Sequence, residues 1–171
     1  TGWDAETGDY ITFLDSDDEW YADKLKILDF YIKKQTGLSI IFHSYTLNDF
    51  TRQANWKQVK PQKYSFGKIL VSNPVQSSCL CILRKIGTRF DIRFRYCEDH
   101  ELMLRLAFQH ACYRIPLRLT RLYSPQLLGQ GLSGNLWKMR SGEMNMYWRI
   151  GRLSPLFLPL SPFILLVSLI K

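Results

Sequence analysis

Hydrophobic positions fall into short runs along this chain, and the spacing within them predicts its architecture. Residues 9–14, Asp-Tyr-Ile-Thr-Phe-Leu, are β-branched and aromatic and stop abruptly at Asp-Ser-Asp-Asp-Glu, which predicts a buried strand ending in an acidic loop. Leu25, Leu28, Tyr31 and Ile32 then recur at helical spacing. They predict a helix over about 20–34, with Asp17 or Asp18 as its cap and Gly37 just beyond its end. A second apolar run over 38–47 predicts another strand, followed by a polar, irregular stretch over 48–63. Ser65 is placed to cap a short helix reaching Val71, 77–83 reads as a strand, and 85–91 as a connection. Residues 98–110 put Leu102 and Leu106 on one face of a helix whose first turn is acidic, an arrangement the helix dipole favours. Two short strands, over 112–115 and 117–123, are expected after it. Strands alternating with helices predict an α/β layered domain.

Composition agrees with one such domain and adds a tail. The chain has 171 residues, of which 46% are hydrophobic and 14% aromatic, enough for a real core and against disorder. Its opening, 1–7, is polar and lacks Met, yet a strong buried strand follows within a few residues. Such a strand needs neighbours on both sides, so the natural protein is expected to continue upstream. Charge is uneven. The first 30 residues hold nine acids against two lysines, a net of −7, so the remainder carries +15 of a chain whose total is +8. A basic body points to phosphate-rich partners: nucleic acid, anionic head groups or a diphosphate substrate. No nucleic-acid-binding motif is present, and nucleic acid is not an expected partner. Cys79, Cys81, Cys97 and Cys112 show no paired framework and no secretory signal precedes them, which suggests a reducing compartment. Cys79 and Cys81, two apart in an apolar run, read as core packing rather than as metal ligands.

The acidic loop is the first candidate for chemistry. Asp15 and Asp17, with Asp18 adjacent, offer only hard oxygen donors, with no His or Cys near in sequence, and suit Mg²⁺ or Mn²⁺ rather than zinc. Such ions keep one or two protein carboxylates and take further ligands from substrate phosphates. An acidic helix cap beside a solvated turn would give the same pattern, and that reading stays open at this point. A calcium loop counted from Asp15 would need glycine where Trp20 stands, and fails.

Gly8 to Leu25, reading Gly-Asp-Tyr-Ile-Thr-Phe-Leu-Asp-Ser-Asp-Asp-Glu-Trp-Tyr-Ala-Asp-Lys-Leu, resembles the central motif of family 2 glycosyltransferases. Tyr96-Cys97-Glu98-Asp99, with Leu102 and Arg105 following on a helix, resembles that family's Glu-Asp motif, and 73–83 its intervening strand beside the acceptor. The resemblance covers about residues 1–135. It implies a GT-A fold, incomplete at the N-terminus, and inverting transfer from a nucleotide-sugar donor to a lipid-linked or saccharide acceptor. It also implies that Asp15, Asp17 and Asp18 bind the nucleotide, with Asp17 and then Asp15 as ligands to Mn²⁺ or Mg²⁺. Asp99 is implied as general base and Glu98 as its orienter or an acceptor contact. His100, beside that base, is expected to be a solvated helix residue or an acceptor contact. The nucleotide-binding strands upstream of the motif are missing, and Gln130-Gly131-Leu132-Ser133 stands where many members carry His or Arg, leaving Lys138 or Arg140 as substitutes. A non-catalytic fragment that binds a membrane or partner is the alternative.

Residues 153–170 contain 18 positions without a charge, with Pro155, Pro159 and Pro162 among them. The length is marginal for a span and the prolines disfavour a straight helix, so an interfacial anchor is expected. Trp137, Lys138, Arg140, Tyr147, Trp148, Arg149 and Arg152 precede it and suit a head-group zone. The expected division is a catalytic domain over 1–134 and a membrane-associating element over 135–171, at the cytoplasmic side of the cell membrane. Packing of the tail against another part of the protein is the rival reading.

Overall fold

A computed structural model describes residues 2–123 and 136–153. Their elements are α1 (Gly2–Ala5), β1 (Tyr10–Thr12), β2 (Asp18–Trp20), α2 (Lys24–Lys34), β3 (Ile40–Thr46), β4 (Gln62–Tyr64), α3 (Phe66–Val71), β5 (Leu80–Leu83), α4 (Glu98–Gln109), β6 (Cys112–Leu122) and α5 (Leu136–Leu153). The strands form one mixed sheet in the order β1-β5-β3-β6-β2, with β4 also pairing β6. Only β3 and β6 run parallel.

Period-two alternation splits the core into two layers. On β3, Ile40 and Phe42 face one side with Leu80 and Ile82 of β5, where they pack against Ile69 of α3, Leu102 and Leu106 of α4, and Met146 and Ile150 of α5. On the other side, Ile41 and Cys81 meet Ile27, Leu28 and Tyr31 of α2. The result is helix, sheet, helix, the α/β layering expected from the sequence. Gly142 lets α5 approach closely, because a Cβ there would lie 2.8 Å from that of Tyr96. All four cysteines are free and buried, as core residues should be.

Several elements differ from the sequence expectation. Asp17 and Asp18 cap no helix: Asp18 opens β2, antiparallel to β6, and α2 starts only at Lys24. The run 77–83 begins with a 3₁₀ turn, Ser77–Cys79, before β5. The two strands expected around Pro116 are a single strand, β6, whose register against β3 slips between His43 and Tyr45. Proline has no N–H for the ladder, so the strand continues by a bulge instead of stopping. Ser65 does cap α3, accepting from the Lys68 N–H, and Gly37 takes the positive φ of 84° expected after α2.

Candidate active site

Past β1, the Thr12 hydroxyl donates to the Leu80 carbonyl at 2.7 Å, and the chain runs on into the acidic loop. The Asp15 N–H donates to Ser78 Oγ at 2.9 Å, and the Asp18 N–H donates to the Asp15 carbonyl at 3.1 Å. This closes a turn that leaves Asp15 and Asp17 exposed and Asp18 half-buried. Desolvation holds the Asp15 carboxyl above its ordinary pKa, with Asp17 repulsion added, while a hydrogen bond from Ser78 opposes both. Asp18 is raised too, mainly by desolvation, against the counter-effects of Ser78 and Lys24.

The second acidic group sits at the start of α4. Cys97 adopts a left-handed conformation with φ of 58°, which turns the chain so that Glu98, Asp99 and Glu101 occupy the first turn. Asp99 Oδ2 accepts from Asn73 Nδ2 at 3.2 Å and Oδ1 from the His100 N–H at 2.7 Å. Burial raises the pKa of both Glu98 and Asp99, and the charge of Asp15 raises each further. Two motifs more than 80 positions apart in the chain thus lie within electrostatic reach of one another. Asp15 links the two groups, acting on Asp18 on one side and on Glu98 and Asp99 on the other; Glu101 is instead buried in a bidentate pair with Arg105 at 2.6 Å.

Other expectations need revision. His100 is not solvated: it is buried, and its Nε2 lies 2.6 Å from the Ile69 carbonyl. Arg149, expected among head-group residues, pairs with Asp91 and lies 3.5 Å from Glu101. Residues 130–133, in the loop where many family members carry His or Arg, and 154–170, of the expected anchor, lie outside the described residues.

Sequence reasoning overlooked the residues beneath the loop. Ser78 is fully buried, and its carbonyl accepts from Lys24 Nζ at 2.7 Å, Thr120 Oγ1 at 2.9 Å and Trp20 Nε1 at 3.3 Å. Lys24 also lies 3.9 Å over the Trp20 ring, and burial pushes its ammonium down to about 7. Nearby His43 is buried and pushed down to about 3, first by desolvation and then by Lys24, so its imidazole is neutral. Asn73 and Ser78 belong to the segment flagged by resemblance; nothing in the pattern marked Lys24 as buried.

Among the described residues, no set of three or more His, Cys, Asp or Glu side chains encloses a metal. Asp15 and Asp17 nonetheless fit Mg²⁺ or Mn²⁺. Both are hard-oxygen donors on an exposed loop, and the repulsion raising Asp15 is what a cation would relieve. A groove of about 440 Å³ between α2 and β1, lined by Tyr10, Leu28, Ile32 and Cys81 among others, includes none of these acids.

Residues 1–88 match the family described as Glycosyl transferase family 2. The chain is 30% identical over 132 residues to the amylovoran biosynthesis glycosyltransferase AmsB of Erwinia amylovora, covering 68% of this chain and 43% of AmsB. It is 28% identical over 100 residues to the Escherichia coli UDP-Glc:alpha-D-GlcNAc-diphosphoundecaprenol beta-1,3-glucosyltransferase WfgD, covering 58% of this chain and 39% of WfgD. It therefore spans about two-fifths of the length of these curated relatives. The crystal structure of S. aureus TarS 1-349 superposes with a TM-score of 0.52 at 15% identity, over 83% of this chain and 42% of that one. That likeness supports a mixed α/β fold resembling the GT-A glycosyltransferases.

Proposed function

The chain belongs to glycosyl transferase family 2, and on that premise we propose that the whole protein moves a sugar, with inversion, from a nucleotide-sugar donor to a lipid-linked or polysaccharide acceptor in cell-surface glycan biosynthesis. The observation that carries this reading is that segment 73–78 holds both motifs, Ser78 Oγ bonding the Asp15 N–H and Asn73 the Asp99 carboxylate, with Asp15 raising both Glu98 and Asp99. AmsB, by its name, serves amylovoran biosynthesis, and WfgD's name gives a diphosphoundecaprenol-linked acceptor; both support an acceptor of that class.

In this reading the two acidic groups divide the work. Asp15, Asp17 and Asp18 bind the nucleotide, with Asp17 and Asp15 holding Mn²⁺ or Mg²⁺. When bound, such an ion supplies charge stabilisation for a leaving diphosphate. Asp99 takes the proton from the attacking acceptor hydroxyl. Its raised pKa makes it a stronger base than an ordinary carboxylate, and Asn73 together with the His100 N–H fixes its orientation. Glu98, raised by desolvation beside it, orients the acceptor. Calorimetry tests the donor half: Asp17→Asn in the whole protein should abolish Mn²⁺-dependent affinity for a nucleoside diphosphate. Undiminished affinity would remove Asp17 from the site.

A membrane surface is the proposed setting, at the cytoplasmic side. On α5, Trp137 and Trp148 are 88% and 58% exposed, Met144 is exposed on the same face, and Arg152 stacks on Trp148. No helix among the described residues is long and apolar enough to cross a membrane. The exposed aromatic and basic face of α5 and the charge-free residues after it in sequence support interfacial attachment. Deleting 154–171 should release the protein from anionic liposomes; unchanged flotation would reject the tail as anchor.

A further inference from the structure

Carboxylates clustered on an exposed turn repel one another, and the turn must hold its shape before any cation arrives. What holds it is visible beneath. Ser78 joins the loop to the elements behind it: its hydroxyl accepts from the Asp15 N–H, and its carbonyl gathers Lys24 of α2, Thr120 of β6 and Trp20 of β2. Its hydroxyl also stabilises the carboxylates of Asp15 and Asp18, donating its one proton to either.

We propose that Ser78 is a positioning residue for the acidic loop and that Lys24, donating to the Ser78 carbonyl, is the side chain that locks it. This inference rests on the donor-binding role given to Asp15, Asp17 and Asp18 above, and it adds the device that preorganises them. Lys24 is suited to the task for three reasons. It is buried, so its ammonium is not free to swing into water. It stands at the first turn of α2, which packs through Ile27, Leu28 and Tyr31 and so fixes its stem. Its charge acts on Asp18 in the sense that favours the carboxylate. The Trp20 ring covers it from β2, so the same side chain joins β2, the turn before β5, and α2. Preorganised ligands spare a bound diphosphate the cost of ordering them, which is where a positioning residue acts.

Three variants separate this from a general packing role: Ser78→Ala removes the hydroxyl, Lys24→Met removes the ammonium but keeps most of its stem, and Ser78→Thr keeps the hydroxyl. Amide hydrogen exchange on this chain needs no ligand. Exchange at the Asp15 and Asp18 N–H groups should quicken about tenfold in Ser78→Ala and Lys24→Met, stay near wild type in Ser78→Thr, and leave Ile41 in β3 unchanged. Loop rates unaltered in the first two variants, or Ile41 accelerating in step with the loop, would overturn the proposal. In the whole protein, the same two variants should raise the donor KM about tenfold with a smaller change in kcat, rescued by Ser78→Thr. If wild-type protein transfers no sugar, the functional reading falls, while hydrogen exchange still decides the positioning role.

Discussion

Acidic residues occupy two neighbouring regions of this molecule under opposite conditions. Asp91 and Glu101 are matched: Asp91 pairs with Arg93 and Arg149, and Glu101 with Arg105 in bidentate fashion. Hydrogen bonding from Arg93 and the charge of Arg149 hold Asp91 well below the ordinary carboxylate range. Asp15, Asp18, Glu98 and Asp99 have no such match, and desolvation with mutual repulsion holds all four above it. Both groups touch α4, Glu98 and Asp99 at its first two positions and Glu101 just after. A matched acid fastens the helix and α5 to the connection before it; an unmatched one stores unfavourable charge that a substrate or cation can use.

Breaking the unmatched group should cost activity without costing stability. Asp99→Asn in the whole protein should lower turnover by about 10²- to 10⁴-fold with donor affinity nearly intact. Steady-state kinetics beside calorimetry reads both, and near-normal turnover would remove Asp99 as base. Breaking the matched group should do the reverse. Arg105→Met leaves Glu101 buried beside only the more distant Arg149, and urea unfolding should show a loss of about 3 kcal/mol. The smallest effect is expected at Asp15. Its raised folded pKa means that its favourable contribution is present below the unfolded pKa and is lost as pH rises through the folded value. Asp15→Asn should therefore stabilise the chain only above that window, by less than about 1 kcal/mol after solvent screening. Asp91 has the opposite sign: its contribution is present above the unfolded pKa and is lost as pH falls through the folded one. Thermal melts of Asp15→Asn and Asp91→Asn across acidic pH compare the two slopes.

Much of this was legible because it is local. The Ser65 cap, the Leu102 and Leu106 face of α4, and the apolar runs of β3 and β5 follow from spacing alone. The two acidic motifs were found as residues, though not as neighbours. What stayed hidden is tertiary. β2 is Asp-Glu-Trp, with no apolar alternation, and is a strand by virtue of its ladder with β6, where Glu19 faces Arg121 in an ion pair at 2.6 Å. β4 is similarly polar and short, and is a strand by virtue of its ladder with β6. Lys24 and Arg149 look like surface cations in sequence; only packing shows one under the loop and the other against Asp91. Aromatic and basic residue types placed 137–152 in a head-group zone, yet Met146, Tyr147 and Ile150 join the main core while Trp137 and Trp148 stay exposed on the other face.

If the loop and the start of α4 form one electrostatic site, titration of the Asp99 carboxyl by NMR reads it on this chain without a ligand. Asp99 should titrate above the ordinary carboxylate range in the wild type and move down towards that range in Asp15→Asn. An Asp99 titration that is the same in both proteins would mean that the two acidic motifs do not meet.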